Sequence, residues 1–150
     1  MAKVNLDKIQ AKGDGNIVSV VSESATLPNG ALVALGDLLD GERELFEAKA
    51  PSADEELLLV AAPEVKYDET ADQLDFETEA GHPVRAYHLK AGDIFQAELA
   101  LFDATPSAGD VVTGNAEHGY TVGEGKTQFK VERVGKYFFD RRDVAVLRVL

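Results

Sequence analysis

The sequence predicts a mainly β protein, built as an antiparallel β-barrel or sandwich with long loops and at most short helices. Three observations favour this fold class. Short β-branched runs alternate between apolar and polar residues, which is typical of half-buried strands. The 13 glycines recur at short intervals between those runs and mark turns. Near the end of the chain, strand-like runs follow one another at regular spacing, as they do in barrels and sandwiches.

The size of the chain suits one domain. At 150 residues, we expect an N-terminal arm over 1–15 and a single β-rich domain over 16–150. Hydrophobic residues make up 45% of the chain, and the apolar runs are much shorter than the ~20 residues that span a bilayer. The first residues lack the apolar segment of a secretory signal. We therefore expect a soluble protein, made and used in a cytoplasm, that does not contact a membrane.

The first predicted strand covers 17–21. Asn29-Gly30 follows it, and this dipeptide is a strong hairpin signal because both residues tolerate the positive φ angles of a tight β-turn. The strand-like residues 32–35 come directly afterwards. We therefore expect a β-hairpin over 17–35.

The segment over 37–48 is rich in helix-forming residues and has an amphipathic helix as its alternative. Gly36 and Gly41 argue against that helix, because an interior glycine costs ~1 kcal/mol relative to alanine. The two glycines favour a turn between them. A strand over 44–50 is therefore predicted.

The run over 56–62 is apolar on both faces, as expected for a strand in the middle of a sandwich or barrel, with a buried helical turn as the alternative. The acidic segment 68–81 is predicted as a long loop, with a short helix at 71–76. Residues 84–89 and 94–101 flank a turn at 90–93 and form the clearest predicted strand pair. The remaining predicted strands cover 111–113, 120–122, 128–134 and 143–150.

Charge is unevenly distributed along the chain, which has a net charge of −12. Residues 36–80 contain fifteen acidic and three basic residues, whereas residues 126–150 contain seven basic and three acidic residues. An even negative charge would repel nucleic acid phosphates. The pattern fits either a solvated acidic surface or a polarised particle whose more basic face contacts a partner.

Catalytic and metal-binding patterns fail at identifiable positions. The chain has no cysteine, which excludes disulfides and thiolate chemistry. No serine lies in the Gly-x-Ser-x-Gly pattern of a nucleophile elbow. His82, His88 and His118 lack the i, i+4 spacing that aims two histidines at one metal ion. Paired carboxylates are frequent, but 27 acidic residues supply such pairs by chance.

Three further patterns give even weaker evidence for a binding site. Gly123-Glu124-Gly125-Lys126-Thr127 ends like a phosphate-binding loop but has Tyr120 where the earlier glycine belongs, so a β-turn is the better interpretation. The run 14–16 is only a fragment of a calcium loop. The run 136–142 comes closest to a nucleic-acid patch, but Tyr137 and Phe139 are expected to pack inward. We predict no catalytic site, no metal site, no cofactor and no direct contact with nucleic acid.

Three segments carry a family resemblance: the opening run 4–13, the run 29–44, and Tyr87-His88-Leu89-Lys90-Ala91-Gly92-Asp93-Ile94-Phe95. Together they resemble the small head decoration, or cement, proteins of tailed bacteriophages. The likeness spans most of the chain but contains no diagnostic motif. It implies a β-rich, non-enzymatic protein that binds in many copies to the outside of the capsid, made in the bacterial host cytoplasm and located in the virion.

The resemblance also implies a partner, the major capsid protein. Repeated contacts would add avidity, so self-association is expected, with a trimer favoured. The expected contact surface is the N-terminal arm together with a basic turn near the C-terminus, and the acidic middle of the chain is expected to face solvent. The predicted capsid-binding residues are Lys3, Asn5, Lys8, Lys12, Arg141 and Arg142.

Two rival functions remain open. A tail or neck component of the same virus class would also be acidic, β-rich and without catalytic residues. A small trimeric β-rich hydrolase, such as a nucleotide pyrophosphohydrolase, would need an Ala-Gly-x-x-Asp-x-Gly-Tyr motif. His118-Gly119-Tyr120 supplies only the end of that motif.

Overall fold

The computed structural model describes residues 5–8, 17–61, 77–136 and 143–150. Within these residues the protein is mainly β, which confirms the predicted fold class. The strands are β1 (Asn5–Lys8), β2 (Ile17–Val21), β3 (Leu27–Pro28), β4 (Leu32–Leu38), β5 (Leu45–Lys49), β6 (Leu57–Val60), β7 (Glu77–Thr78), β8 (Val84–His88), β9 (Ile94–Glu98), β10 (Val111–Gly114), β11 (Tyr120–Val122), β12 (Phe129–Lys136) and β13 (Asp143–Val149), with one 3-10 helix at Leu99–Leu101.

The strands form two main sheets. The first is a closed five-stranded barrel in the order β2-β5-β4-β6-β8, in which β8 pairs with β2 to complete the ring. Its pairs are antiparallel except for β2 and β5, which are parallel. The second is a six-stranded antiparallel sheet in the order β1-β9-β13-β12-β10-β11. A small additional sheet pairs β3 with β7.

β6 explains how the barrel and the sheet fit together. All four residues of β6 are buried, because each face of the strand covers a different core. Leu57 and Leu59 point into the core between the barrel and the six-stranded sheet. Leu58 and Val60 point into the barrel interior. This confirms the prediction of a central strand and accounts for a sequence without apolar–polar alternation.

β4 and β8 show the same division of faces. In β4, Leu32 and Ala34 contact the shared core, whereas Val33 lies in the barrel interior. In β8, Ala86 lies inside the barrel and Tyr87 contacts the shared core. Three adjacent barrel strands therefore form one wall that is covered on both sides.

The shared core is completed by an aromatic cluster. The rings of Phe95 and Phe129 meet edge to face with centroids 5.4 Å apart, and Phe102 stacks on Tyr120 at 4.8 Å. Tyr120 is fully buried, and its hydroxyl donates a hydrogen bond to the carbonyl oxygen of Gly30 (2.7 Å). The cluster joins strands of the six-stranded sheet to the turn before β4.

The predicted hairpin over 17–35 is wrong. The turn at Asn29-Gly30 does form, with Gly30 at φ 96° and Ala31 N–H donating to the Pro28 carbonyl. However, it connects the short strand β3 to β4, and β2 pairs with β5 and β8 instead of β4. The turn signal was local, whereas the choice of partner strand depends on closure of the barrel.

The predicted pairing of 84–89 with 94–101 is also wrong. Both strands exist, as β8 and β9, and the turn between them contains Gly92 at φ 95°. The turn nevertheless carries the chain from the barrel into the six-stranded sheet, so β8 and β9 belong to different sheets. The alternation ends early, because Leu99–Leu101 is a 3-10 helix.

The region around Gly36 and Gly41 folds as a hairpin of β4 and β5, which confirms the predicted strand over 44–50. Gly41 lies in the turn at φ 78°. Gly36 lies within β4, at an irregularity between Leu35 and Leu38. A side chain at Gly36 would meet the Cβ atom and carbonyl oxygen of Glu47 at 2.9 Å, so glycine permits the close approach of the two strands.

The four predicted strands near the end of the chain are confirmed as β10, β11, β12 and β13. Of the predicted acidic loop over 68–81, the described part contains β7 and a turn with Gly81 at φ 83°. The predicted helix at 71–76 lies outside the described residues. The predicted inward packing of Tyr137 and Phe139 also lies outside them.

Candidate interaction surface

The outer face of the six-stranded sheet is the face turned away from the barrel. Successive residues of a strand point to opposite faces. In β9 and β13, Phe95, Ala97 and Leu147 point into the shared core. Their neighbours therefore point outward, and these are Ile94, Gln96, Val146 and Arg148, together with Val144 and Glu98, which lie opposite each other and are buried.

Basic residues line up across this outer face. Arg148 lies opposite Ile94 on one side and opposite Lys130 on the other. The backbone of Lys8 in β1 lies opposite Ile94. Directly opposed residues lie side by side on the same face of a sheet. The described side chains of this row, from β9 to β12, are therefore Ile94, Arg148 and Lys130, of which two are basic.

The neighbouring row has a similar composition. Val146 lies opposite Gln96 and opposite Arg133, and Asn5 lies opposite Gln96. The register shifts between Val131 and Arg133, so Glu132 is the extra residue of β12. Val146 and Ile94 are half-buried and belong to neither core. The surface thus combines the exposed Arg133 and the half-buried Lys130 with apolar side chains.

Two of the cations on these strands have acidic partners. Arg148 Nε lies 2.8 Å from Glu132 Oε1, as an ion pair without hydrogen-bond geometry. Lys136 Nζ donates a hydrogen bond to Asp143 Oδ1 (3.2 Å). In the described parts of the chain, neither Lys130 nor Arg133 has an ion pair. The outer face therefore retains positive charge.

The predicted capsid-binding residues are only partly described. Asn5 and Lys8 lie in β1, the edge strand of the six-stranded sheet. Lys3, Lys12, Arg141 and Arg142 lie outside the described residues.

The strands next to those residues share one end of the sheet. β1 and β13 both run antiparallel to β9, so they start at the same end. That end carries Asn5 and Asp143. Asn5 is itself a predicted contact residue and lies two positions after Lys3, and Asp143 directly follows Arg142. Lys8 lies nearer the opposite end, level with Arg148.

Sequence reasoning missed Lys130, Arg133 and Arg148 as members of one surface. The signal for Lys130 and Arg148 was present, because each is flanked by apolar residues that point into the core. The bulge at Glu132 hides the same signal at Arg133. The alignment of β12 with β13 also depends on pairing that no local pattern specifies.

The barrel carries the opposite charge. The β4–β5 hairpin turn exposes four acidic residues and one arginine. The acidic residues have no ion pairs within the described residues. Leu38, in the same hairpin, is 45% exposed. The charged residues are Asp37, Asp40, Glu42, Glu44 and Arg43.

Two shallow grooves lie on the barrel. One, of about 650 Å³, is lined by the hairpin turn together with Ser19 and Pro83. The other, of about 290 Å³, contains His88, whose Nδ1 lies 3.5 Å from Glu56 Oε1. Neither groove places a histidine between a hydroxyl and a carboxylate, as nucleophilic catalysis by a triad requires. No group of three or more potential metal ligands occurs among the described residues.

His118 and Tyr120, from the partial hydrolase-like motif, make contacts that hold the fold together. His118 Nδ1 lies 3.0 Å from the Leu32 carbonyl oxygen, and the Leu32 N–H donates to the His118 carbonyl (2.9 Å). Burial raises the pKa of Tyr120 well above its usual value, because the apolar surroundings disfavour the phenolate. These side chains connect the sheet to the barrel.

The glycine-rich loop after β11 is also committed to internal contacts. Thr127 Oγ1 accepts a hydrogen bond from the Leu57 N–H (3.0 Å), and the Thr113 hydroxyl donates to the Thr127 carbonyl (2.8 Å). The Lys126 N–H donates to the Ala53 carbonyl (2.7 Å). The loop therefore docks against the segment before β6.

Comparisons with known proteins add no relatives. No family model matches the chain, and no curated protein or solved structure is significantly similar to it. Among the described residues, no helix has the length and apolar character needed to cross a membrane. The candidate surface therefore rests on the geometry and charge given above.

Proposed function

We propose that the chain is a non-enzymatic structural protein that binds the outer surface of a bacteriophage capsid and stabilises it. The partner is the major capsid protein, and the protein acts as a homo-oligomer, with a trimer favoured. The resemblance of three segments to head decoration proteins motivates the proposal. The observation that supports it most is the common end of β1 and β13, since both are continuous with predicted contact segments.

The proposed orientation places that end of the sheet on the shell. Asn5 and the residues before it meet the capsid together with the connection that contains Arg141 and Arg142. The acidic hairpin of β4 and β5 belongs to the barrel and points away from the capsid.

The first test is sedimentation with purified empty capsids. The variant K3E/R141E/R142E reverses three predicted contact charges in the two segments that adjoin that end of the sheet. We expect its occupancy on capsids to fall at least about tenfold, because opposed like charges at an interface are costly. The matched control K49E/R85E/K126E reverses three exposed charges away from that end of the sheet and is expected to bind as the wild type does. Unchanged occupancy of the first variant would refute the proposed contact.

The alternative is a structural component of the tail or neck of the same kind of particle. It shares the β-rich fold and the separation of charge. Sedimentation with tail-free heads distinguishes the two, because a tail or neck component does not bind them. A small hydrolase is the less favoured alternative, since Tyr120 of the partial motif is buried and bonded to Gly30.

A further inference from the structure

The two charged surfaces of the protein are complementary to each other. One is the outer face of the six-stranded sheet, with Lys130 and Arg133 beside Val146. The other is the acidic turn of the β4–β5 hairpin, with Asp40 and Glu42 near Leu38. Each combines unneutralised charge of one sign with exposed or half-exposed apolar side chains. Protein interfaces have this composition, an apolar centre within a polar rim.

The two surfaces do not meet within one molecule. The outer face points away from the barrel, because the inner face of the same sheet packs on β4, β6 and β8. The acidic turn is part of the barrel. A contact between them therefore requires two molecules.

We infer that the acidic β4–β5 turn of one copy docks on the outer face of the six-stranded sheet of a second copy. Asp40 and Glu42 lie against Lys130 and Arg133, and Leu38 covers Val146. Such a contact joins two different surfaces, so successive copies form a closed ring or an open chain. The inference does not depend on capsid binding, and it leaves the end of the sheet at Asn5 and Asp143 uncovered.

The net charge of −12 does not prevent this contact. At physiological ionic strength, charges further apart than about 8 Å are largely screened from each other. Directly opposed charges are much closer than that. The apolar side chains supply buried area, and the charges determine which surfaces meet.

The test is the mass of the purified chain in solution, measured by light scattering and sedimentation. We expect species heavier than the 16.1 kDa chain. The variants K130E/R133E and D40K/E42K should each raise the dissociation constant at least about tenfold. Combining all four substitutions restores opposite charges across the contact and should recover most of the self-association. Recovery is the decisive result, because independent damage at two sites cannot produce it.

Matched controls separate the contact from general charge effects. R85E/K126E changes the net charge as much as K130E/R133E, and E117K/E124K as much as D40K/E42K, at exposed positions outside both surfaces. Both controls should keep the wild-type mass. If K130E/R133E unfolds, D40K/E42K still tests the contact, because its substitutions lie in an exposed turn. A monomeric wild type, or self-association that resists D40K/E42K, overturns the inference.

Discussion

Gly119 lies where the loop between β10 and β11 passes the carbonyl oxygen of Leu101. A Cβ atom at this position would overlap that oxygen, and it would also crowd the side-chain amide of Asn115. The same amide side chain accepts hydrogen bonds from the N–H groups of Glu117 and Gly119. The loop is therefore fixed by glycine on one side and by asparagine on the other.

Gly119→Ala should lower the free energy of unfolding by about 3 kcal/mol, the upper part of the range for overpacked sites. Gly135→Ala is the matched control, because nothing lies within 4 Å of its added Cβ atom and its φ angle is not positive. That control should change stability by less than about 1 kcal/mol. Urea unfolding of both variants measures the difference. Equal stability of the two would contradict the described loop.

The burial and hydrogen bond of Tyr120 lead to a second prediction at the residue scale. In Tyr120→Phe, the buried carbonyl of Gly30 loses its hydrogen bond, which should cost about 1–3 kcal/mol at neutral pH. The raised pKa of Tyr120 also makes the free energy of unfolding depend on pH. The unfolded chain ionises first, near pH ~10, so this stability is complete below that pH and is lost as pH rises further. Between neutral pH and about pH 11, the wild type should lose more stability than Tyr120→Phe in denaturant titrations.

At the scale of elements, β6 connects the two cores. Leu58→Ala removes volume from the barrel interior, and Leu59→Ala removes it from the shared core. Each should lower the free energy of unfolding by about 3 kcal/mol, whereas Val122→Ala at an exposed position should lower it by less than about 0.5 kcal/mol.

Because β4, β6 and β8 line both cores, barrel and sheet should unfold together. Tyrosine fluorescence and far-ultraviolet circular dichroism should therefore give coincident transitions, and separate transitions would disprove this coupling.

Most strands could be predicted from the sequence, but their partners could not. The apolar run of β6 and the alternation in β9 and β13 identify strands. Burial on both faces requires apolar residues throughout, whereas burial on one face requires them at every second position. The turns at Gly30 and Gly92 were also recognisable. Whether such a turn returns to the preceding strand or crosses to another sheet depends on distant packing. That is why both predicted hairpin pairs were wrong.

At the scale of the whole molecule, the separation of charge was predictable as a trend, but the surface that carries it was not. Counts along the chain indicated a basic C-terminal region. Only the pairing of β12 with β13 brings Lys130 and Arg133 onto one face with Arg148. Only the register of β1 places Asn5 and Asp143 at one end. Both arrangements arise from contacts between strands that are far apart in sequence.

We propose that this chain decorates the outside of a phage head. Cryo-electron microscopy of the virion that contains it is the sharpest test. We expect regularly repeated density on the outer surface of the capsid, with the six-stranded sheet end on to the shell and the acidic hairpin directed away. Density for this protein confined to the tail or neck, or an outer capsid surface without it, would refute the proposal.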